Sequence, residues 1–87
     1  MVMNDWFVYI VRCADDSLYT GITKDVDRRI QEHNEGDKLA SKYTRARRPV
    51  VLVYQETCGS RSAATRREIE IKCMTRKEKE YLSVKTR

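Results

Sequence analysis

The sequence predicts an α+β domain: a three-stranded antiparallel sheet flanked by helices, in the order β-β-α-β-α-α. Three observations carry this expectation. Two runs rich in aromatic and β-branched residues are joined by a tight polar turn, Asp15-Asp16-Ser17. A third such run, Val50 to Tyr54, follows a proline. The segments between and after these runs place apolar residues at helical spacing beside capping residues.

Trp6 to Cys13 is the first strand, by its aromatic and β-branched content. Leu18 to Thr23 is the second, and the short Asp-Asp-Ser link makes the pair an antiparallel hairpin. Asp25 is suited to cap a helix, because its carboxylate accepts a free N–H of the first turn. That helix runs to about Asn34 and stops near Gly36, read as a left-handed C-terminal residue. Val26, Ile30 and His33 form its inward stripe, with Arg29 on the same side. Lys38 to Arg48 holds five basic residues and no acidic one, and reads as a loop or short helix. Pro49 ends it, because the residue before a proline is pushed out of the helical region. Val50 to Tyr54 is the third strand, broken by Gly59-Ser60. A helix follows from Ser62 to about Cys73. Thr75-Arg76-Lys77-Glu78 is a capping-box pattern that opens a last helix carrying Tyr81, Leu82 and Val84.

At 87 residues the chain is expected to be one domain, 1–87, with a small core. No stretch approaches the roughly 18–20 apolar residues of a membrane span, and no secretory leader is visible. No membrane association and a cytoplasmic location are therefore expected. Cys13, Cys58 and Cys73 agree: their number is odd and their spacings are wide, so reduced thiols are expected rather than a zinc site. The net charge of +5 favours a polyanionic partner.

Three ionisable groups lie where a plain core does not want them. Arg29 shares its helix stripe with Val26 and Ile30, His33 follows one turn later, and Glu68 shares a stripe with Ala64 and Ile71. A lone buried charge is costly, so each needs a partner, a metal or a pocket. Taken singly, each also has an ordinary structural explanation: a snorkelling arginine, a histidine at a helix C-terminus, an i,i+4 ion pair of Glu68 with Lys72.

Together these residues form a pattern. Val8-Tyr9-Ile10, followed ten residues later by Tyr19-Thr20-Gly21, resembles the two halves of the motif that defines the GIY-YIG nuclease superfamily. Arg29, His33 and the Ala64-x-x-x-Glu68 segment match the next three positions in order. Tyr43 to Pro49 and the Glu-Lys-rich tail are similar to the small stand-alone bacterial branch. The chain departs from the pattern where valine replaces the first glycine and threonine the middle isoleucine. Ile22 stands where some members carry lysine, with Lys24 nearby as a substitute, and the late asparagine of some members is missing.

The resemblance implies a metal-dependent endonuclease acting on DNA. Tyr9, Tyr19, Arg29 and His33 are its expected catalytic residues, and Glu68 the ligand of Mg2+ or Mn2+. Tyr9 is suited to take a proton from water if a nearby cation lowers its phenol, with His33 holding or deprotonating that phenol. Tyr19 is a second acid–base group or a phosphate contact. The guanidinium fork of Arg29 matches phosphate oxygens, and one carboxylate plus water suits a magnesium shell. Lys24, Lys42, Arg45, Arg47, Arg48 and Lys72 are expected to touch the nucleic acid, and a protein partner to supply targeting. Two alternatives stay open: a nucleic-acid-binding module of the same fold that cuts poorly or not at all, and a nuclease directed at RNA.

Overall fold

A computed structural model describes residues 5–36 and 42–85, the side chains of residues 84 and 85 excepted. Strands β1 (Trp6–Arg12) and β2 (Leu18–Thr23) form the expected hairpin. Its turn is built by aspartate chemistry. The Asp15 carboxylate accepts from the Ser17 backbone N–H at 3.1 Å. Asp16 sits at φ 69°, a left-handed conformation that aspartate tolerates because its side chain bonds locally. Helix α1 (Val26–Glu35) starts at Asp25, whose carboxylate accepts from the Arg28 N–H at 3.1 Å. It ends differently from the expectation. Gly36 closes it by donating to the Glu32 carbonyl, but in an extended conformation, φ −79° and ψ 137°. The close approach accounts for the glycine: a Cβ there would stand 2.8 Å from that carbonyl oxygen.

The basic segment carries a single helical turn, α2 (Lys42–Arg45); its residues 38–41 lie outside the described part. Strand β3 (Val51–Cys58) starts one residue after Val50 and extends four past Tyr54, because its pairing with β1 continues to Trp6↔Cys58. Helix α3 (Arg61–Lys72) is capped by the Ser60 hydroxyl, directly after the glycine break. Helix α4 (Arg76–Lys85) opens on the expected capping box: Thr75 N–H to the Glu78 carboxylate at 2.9 Å, and Glu78 N–H to the Thr75 hydroxyl at 3.2 Å. Leu82 packs against the core, whereas Tyr81 is 66% exposed. Among the described residues no helix is long and apolar enough to cross a membrane.

The sheet order is β2-β1-β3, antiparallel throughout, with β1 central. Alternation along β1 therefore feeds two cores. Val8 and Ile10 face Tyr54 and Ile71, with Met74 and Leu82 packed around them. Tyr9, Val11 and Cys13 face the other way, toward Val50, Tyr19, Ile30 and Leu52. A register shift between Ile10 and Val11 lets Tyr54 join the first core and Leu52 the second.

A candidate active site on the Tyr9 face

Tyr9 lies directly across the hairpin from Gly21, and Tyr19 directly across from Val11, so the two phenols share one face of the sheet. The Tyr9 ring passes over the space a side chain at position 21 would fill. A Cβ there would stand 2.6 Å from Oη and 2.8 Å from Cζ. Gly21 has no positive φ, so space rather than backbone freedom requires the glycine.

Helix α1 delivers the partners. His33 is fully buried, with Nε2 2.8 Å from the Tyr9 Oη and Nδ1 2.7 Å from the Thr44 Oγ1. Arg29, one turn earlier, pairs with Glu32 at 2.9 Å, and its positive charge acts on the same phenol. Burial pushes the Tyr9 phenol up to about 12, outweighing the pull of Arg29 in the other direction. The expected lowering of this phenol is therefore not what the protein alone provides. Burial, then the positive charge of Arg29, depresses His33 to about 4; Glu32 opposes this, and Arg48 adds a smaller push in the same direction as Arg29. At neutral pH the pair is a phenol and a neutral imidazole. Burial opposes the charge on Arg29, but its pairing with Glu32 and the influence of Tyr9 win and hold its pKa above the ordinary value.

Tyr19 is half-buried. Its ring meets His33 edge-on at 5.4 Å and stacks on Tyr43 at 5.7 Å with an interplanar angle of 25°. The negative charge of Glu68, on α3, acts on the Tyr9 phenol, as the smallest of the influences on it. Ala64 and Ile71 on its stripe are fully buried, and Glu68 itself is partly so. Its ion pair with Lys72 has N···O 3.5 Å. Among the described residues no three histidine, cysteine or acidic side chains come together as a metal cage. A lone, part-exposed carboxylate suits a hard divalent ion that takes most of its shell from water and phosphate, as magnesium does.

The basic residues divide. Lys42 and Arg45 are exposed on α2, beside Tyr43. Arg47 lies 3.9 Å over the Tyr43 ring, pairs with Asp15 at 2.9 Å and donates to the Tyr43 carbonyl. Arg48 turns inward and donates to the carbonyls of His33, at 2.6 Å, and Gly36, so it caps the C-terminus of α1. Lys24 lies 5.7 Å over the Trp6 ring, with Arg61 also over that ring at 5.6 Å. Four expected site residues thus converge, Tyr9, Tyr19, Arg29 and His33, while Glu68 on α3 is linked to them by its charge alone. Sequence reasoning missed two others. Glu32 had a signal, the i,i+3 spacing from Arg29. Thr44 had none, because it sits in a short segment with no period to read.

A family model described as the GIY-YIG catalytic domain matches residues 5–81. A UPF0213 protein of Desulfotalea psychrophila is 58% identical over 88% of this chain and 69% of its own length. One of Haloquadratum walsbyi is 56% identical over 93% of this chain and 90% of its own. The solution NMR structure of a UPF0213 protein of Bacillus halodurans shares 46% identity, covering 90% of this chain and 81% of its own, at a TM-score of 0.56. That of an E. faecalis protein shares 35% identity over 95% and 90%, at a TM-score of 0.60.

Proposed function

The chain belongs to the GIY-YIG family, whose catalytic domain is of nuclease type, and on that premise we propose that it hydrolyses phosphodiester bonds of DNA with Mg2+ or Mn2+ at Glu68. The observation that carries this reading is one phenol, Tyr9, bonded to His33 and under the charge of Arg29 inside the sheet–helix interface.

Exposure supports a division of roles. Tyr9 is 1% exposed and its proton is committed, so it does not meet the attacking water. Tyr19, half-buried on the same face, is the phenol that reaches the water and orients it. Tyr9 and His33 act behind it, beside Arg29, whose guanidinium is directed at the non-bridging phosphate oxygens. Glu32 balances the charge of Arg29 before substrate binds. A divalent cation bound by Glu68 would supply positive charge to the phosphate and to the departing oxygen. Lys42 and Arg45 line up the strand through its backbone, and Lys72 lies next to the carboxylate.

The test is cleavage of single-stranded, duplex and flapped DNA, and of matching RNA, with magnesium, with manganese and with chelator. Metal-dependent cutting of DNA is expected. Glu68→Ala is expected to stop it while its melting curve stays close to wild type, since a part-exposed ion pair contributes about 1 kcal/mol or less. Binding without cutting on every substrate would make the chain a nucleic-acid-binding module. Selective cutting of RNA would redirect the substrate.

A further inference from the structure

We infer that Thr44 is a positioning residue that fixes which nitrogen of His33 faces Tyr9, and so sets the direction of the Tyr9 hydroxyl beside Arg29. The inference deepens the reading above and rests on it for its catalytic consequence.

The hydrogens in this cluster have one consistent placement. The Tyr9 phenol carries a proton that needs an acceptor, and the neighbouring Arg29 has none to offer. Tyr9 is 1% exposed, and its hydrogen-bond partner among the described residues is the His33 Nε2 at 2.8 Å. Nε2 therefore carries the lone pair. A neutral imidazole has one N–H, which then sits on Nδ1 and must be accepted by the Thr44 hydroxyl at 2.7 Å. Thr44 is fully buried, so water does not replace that oxygen. With Thr44 in place, each bond of the chain Tyr9–His33–Thr44 has one donor and one acceptor, in keeping with the absence of unsatisfied buried side-chain atoms among the described residues. Without the hydroxyl, the Nδ1–H tautomer loses its partner and the Nε2–H tautomer competes with it. That form aims a donor at the phenol oxygen and leaves the phenol proton without its acceptor, which shifts the phenol from its place beside Arg29. The one-turn helix α2 thereby delivers a hydroxyl to the buried side of the imidazole.

His33 is the chain's single histidine, so its two ring nitrogens can be read without ambiguity in a long-range 1H–15N spectrum at neutral pH. Wild type is expected to show a protonated Nδ1 and an unprotonated Nε2. Thr44→Ser, which keeps the acceptor, should retain that pattern and turnover near wild type. Thr44→Val, which keeps the shape and removes the acceptor, should show mixed or reversed protonation. Its DNA cleavage should fall about 10–100-fold in kcat with KM little changed, the usual scale for losing the group that orients a functional histidine. A wild-type spectrum with the proton on Nε2 overturns the inference, as does an unaltered tautomer in Thr44→Val. An altered tautomer with full turnover overturns the catalytic consequence. If Thr44→Val does not fold, the wild-type and Thr44→Ser spectra still decide the tautomer. If the tautomers behave as expected and wild type cuts nothing, Thr44 keeps its positioning role and the nuclease reading fails.

Discussion

Gly21→Ala offers the sharpest probe, because the smallest possible side chain would collide with the phenol at the centre of the site. The added Cβ would stand 2.6 Å from the Tyr9 Oη and 2.8 Å from Cζ. Comfortable separations begin at about 3.5 Å, so the ring must retreat by about 1 Å. It is not free to do so at no cost, being 1% exposed and bonded to His33 at 2.8 Å. Retreat strains a packed core by roughly 1–3 kcal/mol and weakens a buried hydrogen bond. A net loss of about 2 kcal/mol lowers Tm by roughly 8–16 °C in a domain of this size. The same shift of about 1 Å disturbs the phenol beside Arg29, and misplacement on that scale costs about 100-fold in rate. Gly59→Ala is the control, since nothing lies within 4 Å of a Cβ built there and its φ is not positive. Thermal melts and DNA cleavage of both variants separate position from composition: Gly59→Ala should match wild type. A Gly21→Ala protein with wild-type Tm and turnover would refute both the close approach of Tyr9 and its place in the site.

Arg29→Lys keeps the charge but not the fork that pairs with Glu32 and phosphate, and should cost on the order of 3–4 kcal/mol at the transition state, measured as kcat/KM. Because the folded imidazole of His33 sits at about 4 and the ordinary value is 6.5, protons bind the unfolded chain first. Stability should therefore fall as pH drops from about 6.5 toward about 4, by roughly 2.5 kcal/mol at pH 4.5. Urea unfolding at pH 7 and 4.5 should show that loss in wild type and lack it in His33→Gln; equal losses in both would contradict it. Lys42→Ala and Arg45→Ala, on a Glu68→Ala background, should each flatten the plot of log affinity against log salt by about 0.7–0.9. Arg48→Ala should chiefly lower Tm, since its donors cap α1.

The parts of the fold that obey a period or a cap rule were legible in the sequence. Asp25, the Thr75–Glu78 box and the Asp15–Ser17 turn all form the bonds their residue types suggest. The strand and helix ends were not, because tertiary pairing sets them. Trp6 carries β3 on to Cys58, and a backbone contact with Glu32 rather than a left-handed bend explains Gly36. Of the candidate site residues, Arg29, His33 and Glu68 were visible as ionisable groups on inward helical stripes, and Tyr9 and Tyr19 through the resemblance of their strands to the two motif halves. What sequence spacing does not contain is the direction of a side chain in an irregular segment. The run from Lys38 to Arg48 read as one basic surface. Its described part divides into exposed Lys42 and Arg45, an Arg47 laid on Tyr43, an Arg48 turned into a helix end and a Thr44 facing the core.

That division follows from the size of the domain. The central strand has two faces, and both must be covered for so short a chain to fold. The Val8–Ile10 face is closed with aliphatic side chains and by α3 and α4. The Tyr9–Val11 face is closed by α1, with α2 packed beside it. On this second face Tyr9, His33 and Thr44 fill core positions with polar groups that satisfy one another, and Arg29 lies at their edge. A buried polar network stabilises only when every member is satisfied. Substitutions along it should therefore lose activity and stability together, as expected for Gly21→Ala. Glu68 lies outside it, tied to Lys72 by a long, part-exposed pair, and is the one candidate site residue whose removal should cost activity alone.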